Sequence, residues 1–204
     1  TLPLACDWRS RPPIRRFYLE IDPPSLQDNT TDFDRLSRTL SLAHGVAHLR
    51  ADLPTLRRLA ATLREASWKV TATLEMYTWD RPEGPPRLIG LEPGNRAADP
   101  IYGAAIDIGT TSNVVYLVNL SNTEVVDTAV DYNGQIACGE DVISRIIYAT
   151  RPAGLQHLQE LVLRTINSLL DQIAQRQGLA HHQIHKVAVA GNPAMIHLFL
   201  GLNP

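Results

Sequence analysis

The chain has 204 residues, 44% of them hydrophobic, and its 19 basic and 21 acidic side chains leave a net charge of −2. This composition excludes a disordered chain and a collagen-like repeat, and it gives no reason to expect a nucleic-acid groove or a basic membrane-binding surface. Two cysteines are too few to ligate an iron–sulfur cluster within the chain, and no apolar stretch reaches the roughly 20 residues of a membrane span. We therefore expect a cytoplasmic protein of one large or two small domains.

Proline and glycine residues divide the chain near residue 100. They are frequent between residues 81 and 100, where only a short apolar run at 88–91 interrupts them. Clusters of this kind mark turns and linkers. We predict a linker at residues 1–13, a small α+β domain at 14–98 and a second domain at 101–204.

Hydrophobic periodicity predicts a β-α-α-β-β order in the first domain. Alternation at residues 17–21 and 68–76 indicates strands, and capping signals bound helices at 31–45 and from residue 52. No cluster of catalytic side chains is present. The domain is interpreted as a packing or interaction module.

The second domain has a different order, with three strands preceding its helices. The predicted strands are 104–108, 114–120, 124–130 and 187–190, and the predicted helices are one from about 140, 155–177 and 193–201. Three meandering strands followed by helix, strand and helix favour an α/β layer.

A short polar turn after the first of these strands carries the strongest chemical signal. Asp107 ends a buried strand, and Gly109, Thr110, Thr111, Ser112 and Asn113 follow it. Backbone N–H groups in a glycine-containing turn can face a phosphate, and an aspartate can hold Mg²⁺ through water. The alternative is a plain hairpin turn in which Asp107 caps backbone amides.

The segment DIGTTS resembles the first phosphate motif of the acetate/sugar kinase, heat-shock chaperone and actin superfamily. More narrowly, YGAAIDIGTTSNVVYLVNL, YNGQIACGEDVISRIIYA and VAGNPAMIHLFLGLNP resemble the ATPase domain of the reductive activators of corrinoid enzymes, and LEIDPPSLQDNTTDFDRLSRTL is similar to the small middle domain of those proteins. The resemblance implies an α/β protein, with an α+β middle domain followed by an incomplete ribonuclease H-like ATPase domain of the actin and sugar-kinase type.

The resemblance also implies an activity for a longer parent protein. Such a parent uses ATP and Mg²⁺ to return an inactive cobalt(II) corrinoid protein, or a corrinoid-dependent methyltransferase, to cobalt(I). Its electrons come from an iron–sulfur domain that this chain lacks, and a homodimer is expected.

Site residues are carried over from the resemblance by position. Asp107 would be the magnesium-side carboxylate, with Gly109, Thr110, Thr111, Ser112 and Asn113 near the nucleotide phosphates. Gly191 and Asn192 would border the same cofactor site. The family motif there is closer to Gly-Asn-Thr-Thr-Met, and Pro193 and Ala194 replace both hydroxyl residues here.

The segment GEDVISRI allows two interpretations. In the functional one, Glu140, Asp141 and Arg145 lie in the cleft or contact the corrinoid partner. In the structural one, the acidic residues cap a helix and interact favourably with its dipole.

Two other functions stay open at this level. One is a small-molecule kinase of the same superfamily, and the other is a non-catalytic docking or dimerisation fragment. Because half of the expected nucleotide cleft is missing, we expect the 204 residues alone to bind ATP weakly and to expose apolar surface near Pro204.

Overall fold

The computed structural model describes residues 12–78 and 82–204 and divides into two compact units, Thr1–Pro100 and Ile101–Pro204. We call these the first and the second unit. The linker expected at residues 1–13 lies outside the described residues except for positions 12 and 13. Among the described residues, no helix is both long enough and apolar enough to cross a membrane.

The first unit is a four-stranded sheet with two helices packed on it. Its elements are β1 (Ile14–Glu20), α1 (Asp32–His44), β2 (Arg50–Ala51), α2 (Leu53–Glu65), β3 (Lys69–Glu75) and β4 (Arg87–Pro93). The strand order is β1-β3-β4-β2, with β3 antiparallel to both neighbours and β2 parallel to β4. Leu36 and Leu40 of α1 and Leu59 and Leu63 of α2 are buried against it, because residues four apart share one helix face.

β4 lies within the proline- and glycine-rich stretch at residues 81–100 and is the last strand of the predicted β-α-α-β-β order. It pairs with β3 along most of its length and with β2 at its beginning, so it lies inside the sheet. Leu88 is fully buried, and Pro93 is the last residue of the strand. A proline at a strand end leaves the rest of the hydrogen-bond ladder intact. The prolines therefore bound this strand and do not exclude it.

One buried arginine holds the segment between β1 and α1. Arg35, 1% exposed, donates from Nη1 to Asp28 Oδ2 at 2.7 Å and from Nη2 to the Asp28 carbonyl oxygen at 2.8 Å. Hydrogen bonds from Thr30 and Arg38 to the Asp28 carboxylate hold the pKa of Asp28 well below its ordinary value. The buried positive charge of Arg35 thus has a carboxylate in direct contact.

The second unit is a mixed four-stranded sheet with helices on one face. Its elements are β5 (Tyr102–Ile108), β6 (Ser112–Asn119), β7 (Glu124–Tyr132), α3 (Val142–Ala149), α4 (Gly154–Gln177), β8 (Ile184–Gly191) and α5 (Pro193–Leu200). The order is β7-β6-β5-β8, in which β5, β6 and β7 form an antiparallel meander and β8 is parallel to β5.

α4 supplies most of the apolar cover of this sheet. Its buried residues recur every three or four positions, as an amphipathic helix requires, and include Leu158, Val162, Ile166, Leu169 and Ile173. They form one core with inward residues of the strands, which are Ile106, Ile108, Val115 and Leu117. Because side chains alternate along a strand, Asp107 lies on the opposite face from Ile106 and Ile108.

Both units combine helices with a sheet, so the predicted α/β fold class is confirmed. The order of elements in the second unit is also the predicted one. The helix expected from about residue 140 begins at Val142, and a short 3₁₀ helix over Gly134–Cys138 precedes it. The later start follows from Asp141, whose side chain caps α3 from the N-cap position.

Candidate functional site

The turn that connects β5 and β6 lies where two parallel strands end. We call residues Gly109, Thr110 and Thr111 the hairpin loop. Ile108, the last residue of β5, is paired with Gly191, the last residue of β8. The carboxyl ends of parallel strands form the usual ligand edge of an open α/β sheet. The hairpin loop and the start of α5 therefore meet at this edge.

Glycines allow this close approach of the backbone. The Gly109 N–H donates to the Ser112 carbonyl oxygen at 3.0 Å, and a Cβ atom at position 109 would collide with that same oxygen. A Cβ atom at Gly191 would lie 2.9 Å from the Ile108 carbonyl oxygen. Neither position can take a side chain unless the neighbouring backbone moves.

The three carbonyl groups of the hairpin loop are all turned toward the interior of the unit. The Asn133 side chain donates to the Gly109 carbonyl oxygen and the Asn133 backbone N–H to that of Thr111, each at 2.8 Å. Arg145 Nη2 donates to the Thr110 carbonyl oxygen at 2.6 Å. Two residues from outside the hairpin thus fix the direction of its peptide groups.

The corresponding N–H groups point the other way. In a trans peptide the C=O and N–H bonds are antiparallel, and the described residues contain no cis peptide. The Gly109 carbonyl shares a peptide with the Thr110 N–H, and the Thr110 carbonyl shares one with the Thr111 N–H. Neither N–H donates to a protein acceptor in the part of the chain that the structure describes. Adjacent outward N–H groups are a binding arrangement for anions.

Asp107 is exposed at the end of β5. Its neighbours in the sheet are Val114 on β6 and Ala190 on β8. Among the described residues its carboxylate accepts no hydrogen bond and forms no ion pair. The plain-turn alternative requires Asp107 to cap backbone amides, and the structure shows no such contact. The carboxylate is open to solvent and to a ligand.

Asn113 lies on the other face of the sheet. It is fully buried on the face that α4 covers, and neither Oδ1 nor Nδ2 has a hydrogen-bond partner among the described residues. A buried amide without partners is unfavourable by about 1–3 kcal/mol. Asn113, expected from the sequence to lie near the phosphates, is thus beneath the hairpin loop and not beside Asp107.

Asn192 connects α5 to the hairpin loop. Its Oδ1 accepts from the Met195 N–H at 3.0 Å as the N-cap of α5, and its Nδ2 lies 3.4 Å from Thr110 Oγ1. Pro193 occupies the first helical turn, where a missing N–H is harmless. The departure from the family motif at residue 193 therefore preserves the helix start.

The acidic residues of GEDVISRI lie at the start of α3. Asp141 Oδ1 accepts from the Ser144 N–H at 2.8 Å, and this bond, with that from the Ser144 hydroxyl, lowers the pKa of Asp141. The Asp141 carboxylate is thus engaged in helix capping. Glu140 is exposed beside it.

Arg145 is fully buried, so it faces neither solvent nor a partner surface. Besides the Thr110 carbonyl, it contacts the Gly139 carbonyl oxygen through Nε at 2.9 Å and Gln135 Oε1 through Nη1 at 3.3 Å. Nη1 also lies 3.3 Å from Met195 Sδ. Arg145 therefore joins the hairpin loop to the starts of α3 and α5.

Sequence reasoning assigned no site role to Asn133 or Gln135. Asn133 was interpretable only as part of an Asn-Gly turn, and its site contact lies 24 residues away in sequence. Gln135 is buried and donates from Nε2 to the Leu158 carbonyl oxygen at 2.9 Å. The signal that could have indicated them is their polar side chains beside the apolar residues of the segment YNGQIAC.

Family comparison matches both units. Residues 102–204 match the model of the RACo middle region, which covers just over half of the chain, and residues 5–98 match the RACo linker region. The chain belongs to the RACo family. In this family's terms the first unit is the linker region and the second the middle region, so the name "middle domain" expected for residues 14–98 applies to the second unit.

Two relatives agree with the RACo assignment. The chain is 40% identical over 119 residues to the corrinoid activation enzyme RamQ of Eubacterium limosum, covering 58% of this chain and 20% of RamQ. It is 37% identical in sequence to a solved structure of a reductive activator for a corrinoid, iron–sulfur protein, with a TM-score of 0.77, covering 95% of this chain and 30% of that one. These findings confirm the resemblance to corrinoid activators. The chain spans less than a third of the length of either relative.

The residues of this RACo chain fit a nucleotide phosphate and a hydrated magnesium ion, but they do not fit an iron–sulfur cluster. The outward N–H groups of Thr110 and Thr111 fit a phosphate, and Asp107 is an open carboxylate beside them. Within residues 12–78 and 82–204 no three metal-ligating side chains come together, so a magnesium ion here would be held largely by phosphate oxygens and water. An iron–sulfur cluster does not fit, because the whole chain has only two cysteines.

Proposed function

We propose that the RACo-family protein containing this chain uses ATP to restore an inactive cobalt(II) corrinoid to cobalt(I). Family membership and the names of both relatives support this activity and favour it over the kinase alternative. The step adds one electron to cobalt. Since this chain fits no iron–sulfur cluster, the electron comes from an iron–sulfur domain elsewhere in the longer protein.

In this proposal the hairpin loop binds the nucleotide phosphates. The observation that carries it is the inward direction of the three loop carbonyls, which leaves the Thr110 and Thr111 N–H groups facing outward. The hydroxyls of Thr110, Thr111 and Ser112 add donors, and Gly191 and Asn192 border the site from β8 and α5. Asn113, buried on the face that α4 covers, makes no contact with the phosphates in this proposal.

Asp107 has a separate role in the proposal. Its open carboxylate orients the water shell of Mg²⁺, which supplies charge neutralisation for the phosphates. The proposed partner is a corrinoid protein or a corrinoid-dependent methyltransferase, and the active form is a homodimer. The location is the cytoplasm, where a free thiol such as Cys138 stays reduced.

The test is a reconstitution with full-length protein, reductant and corrinoid partner, in which cobalt(I) formation is followed optically with and without ATP. Asp107→Asn should lower the ATP-stimulated rate by roughly tenfold or more, because it removes the charge that orients the metal. Asp171→Asn is the matched control, since Asp171 is an exposed aspartate of α4 whose ion-pair partner among the described residues is His181 alone.

The control should retain the full ATP-stimulated rate. An Asp107→Asn protein as active as wild type would remove Asp107 from the site. Absence of any ATP effect on wild type would contradict the proposed activity itself.

A further inference from the structure

Two arginines among residues 12–78 and 82–204 are fully buried, and the groups that surround them differ in charge. Arg35 in the first unit contacts the Asp28 carboxylate at 2.7 Å. Arg145 in the second unit contacts two carbonyl oxygens, one amide oxygen and one thioether sulfur, all of them neutral. No carboxylate touches it in the described part of the chain. Buried charges in proteins are normally paired, so Arg145 is the exception that requires a physical reason.

The uncompensated charge lies directly beneath the hairpin loop. Arg145 Nη2 donates at 2.6 Å to the Thr110 carbonyl, which belongs to the same peptide as the outward Thr111 N–H. A donor on the oxygen side of a peptide polarises it and strengthens the N–H on the other side. The guanidinium thus acts on the ligand through one peptide group, without contacting the ligand.

The interior position also reduces screening of this charge. Arg145 is fully buried, and burial lowers its pKa, although an arginine stays protonated at neutral pH. The titratable groups that act on its charge are Cys138 and Asp141, and Asp141 is an exposed helix cap. The charge is therefore available to an anion at the loop.

We propose that Arg145 is a positioning residue that makes the hairpin loop selective for polyphosphate, by holding the Thr110 carbonyl inward and by supplying a buried positive charge that the ligand neutralises. This inference rests on the proposed function of the hairpin loop. It assigns Arg145 to the interior side of the nucleotide site and not to the partner surface.

The experiment compares two variants of the full-length protein. Arg145→Met removes the charge at similar volume, and Arg145→Lys keeps the charge but not the planar fork. Calorimetric titrations use inorganic tripolyphosphate, ATP and adenosine, which is neutral. Arg145→Met should weaken tripolyphosphate and ATP binding by about tenfold or more and leave adenosine binding unchanged, and Arg145→Lys should lose less than about threefold.

Arg35→Met is the matched control for loss of a buried arginine. It should lower thermal stability, because it leaves the Asp28 carboxylate without its buried partner, yet keep wild-type affinity for tripolyphosphate. A merely structural role of Arg145 would weaken adenosine and tripolyphosphate binding together, and that result would overturn the proposal.

Other outcomes are equally decisive. A folded Arg145→Met protein with wild-type tripolyphosphate affinity would contradict the inference while the loop stays a phosphate site. If Arg145→Met does not fold, the Arg145→Lys protein is the test. Tripolyphosphate affinity within about threefold of wild type would support the role of the buried charge, and a loss of about tenfold would contradict it. If wild type binds neither ATP nor tripolyphosphate, the proposed function falls and the inference falls with it.

Discussion

Gly109 is the residue at which the hairpin loop leaves no room for a side chain. Its N–H closes the turn onto Ser112, and a Cβ atom would meet the same carbonyl oxygen. The backbone there is restricted by contact and not by a left-handed dihedral angle, since position 109 is absent from the positive-φ glycines of the described chain. Any substitution must therefore move the turn itself.

We predict that Gly109→Ala lowers the free energy of unfolding by about 1–3 kcal/mol and abolishes detectable ATP binding, because the displaced turn breaks the inward carbonyl contacts. Gly90→Ala is the matched control, since its Cβ would make ordinary 3.4 Å contact with Thr73. Chemical denaturation and ATP titration measure the two effects. Unchanged ATP affinity in a folded Gly109→Ala protein would contradict the loop geometry.

Elements of the second unit are joined by an ion pair between β7 and the end of α4. Arg176 donates from Nε and Nη2 to the two carboxylate oxygens of Asp127, each at 3.0 Å. Hydrogen bonds from Arg176, and then from Gln177 and the Thr128 N–H, lower the pKa of Asp127 to about 2. The paired state of Asp127 is thus its ionised state.

This pair predicts a pH dependence with a definite sign. The folded pKa of Asp127 lies below its ordinary value of 3.8, so its stabilisation is present above about pH 4 and is lost as pH falls toward 2. Arg176→Gln should lower the denaturation midpoint of the chain at neutral pH, with a difference from wild type that shrinks on acidification. Arg164→Gln, a change at an exposed position of α4, should leave the denaturation midpoint and its pH dependence as in wild type. A constant difference across this range would exclude the pair as the cause.

The elements also show how much the sequence alone could predict. α1, α4 and α5 end at Gly45, Gly178 and Gly201, each left-handed, and such caps are local signals that sequence reasoning can recognise. β2 was missing from the predicted order, because a strand of two residues is too short to show periodicity and its pairing is with the distant strand β4.

The same division applies to the candidate site. Asp107 and the hairpin loop were predictable, because the phosphate motif is continuous in sequence. The contact of Arg145 with Thr110 spans 35 residues and that of Asn133 with Gly109 spans 24. Neither periodicity nor spacing specifies which polar residue will turn a particular carbonyl inward.

At the scale of the whole molecule, this chain is a small part of its relatives, covering 30% of the solved activator. Apolar side chains of the second unit are also exposed, among them Ile143 and Ile147 of α3 and Leu200 and Leu202 at and after the end of α5. Exposed apolar surface is expected near Pro204 from the sequence, and Leu200 and Leu202 form it.

We predict that the 204-residue chain binds ATP at least about tenfold more weakly than the full-length protein, because one hairpin loop supplies only part of the contacts that a nucleotide needs. Calorimetric titration of both proteins under the same magnesium concentration measures the difference. Equal affinities would show that the second unit is sufficient for nucleotide binding.

The inward carbonyls of the hairpin loop have a consequence for mutational tolerance. In this site the hydroxyls of Thr110 and Thr111 add donors, but they do not set the direction of the backbone N–H groups. That direction depends on Asn133 and Arg145, which never reach the surface. A saturation scan should therefore find Asn133 and Arg145 more restrictive than Thr110 and Thr111, whose replacement removes only a hydroxyl donor.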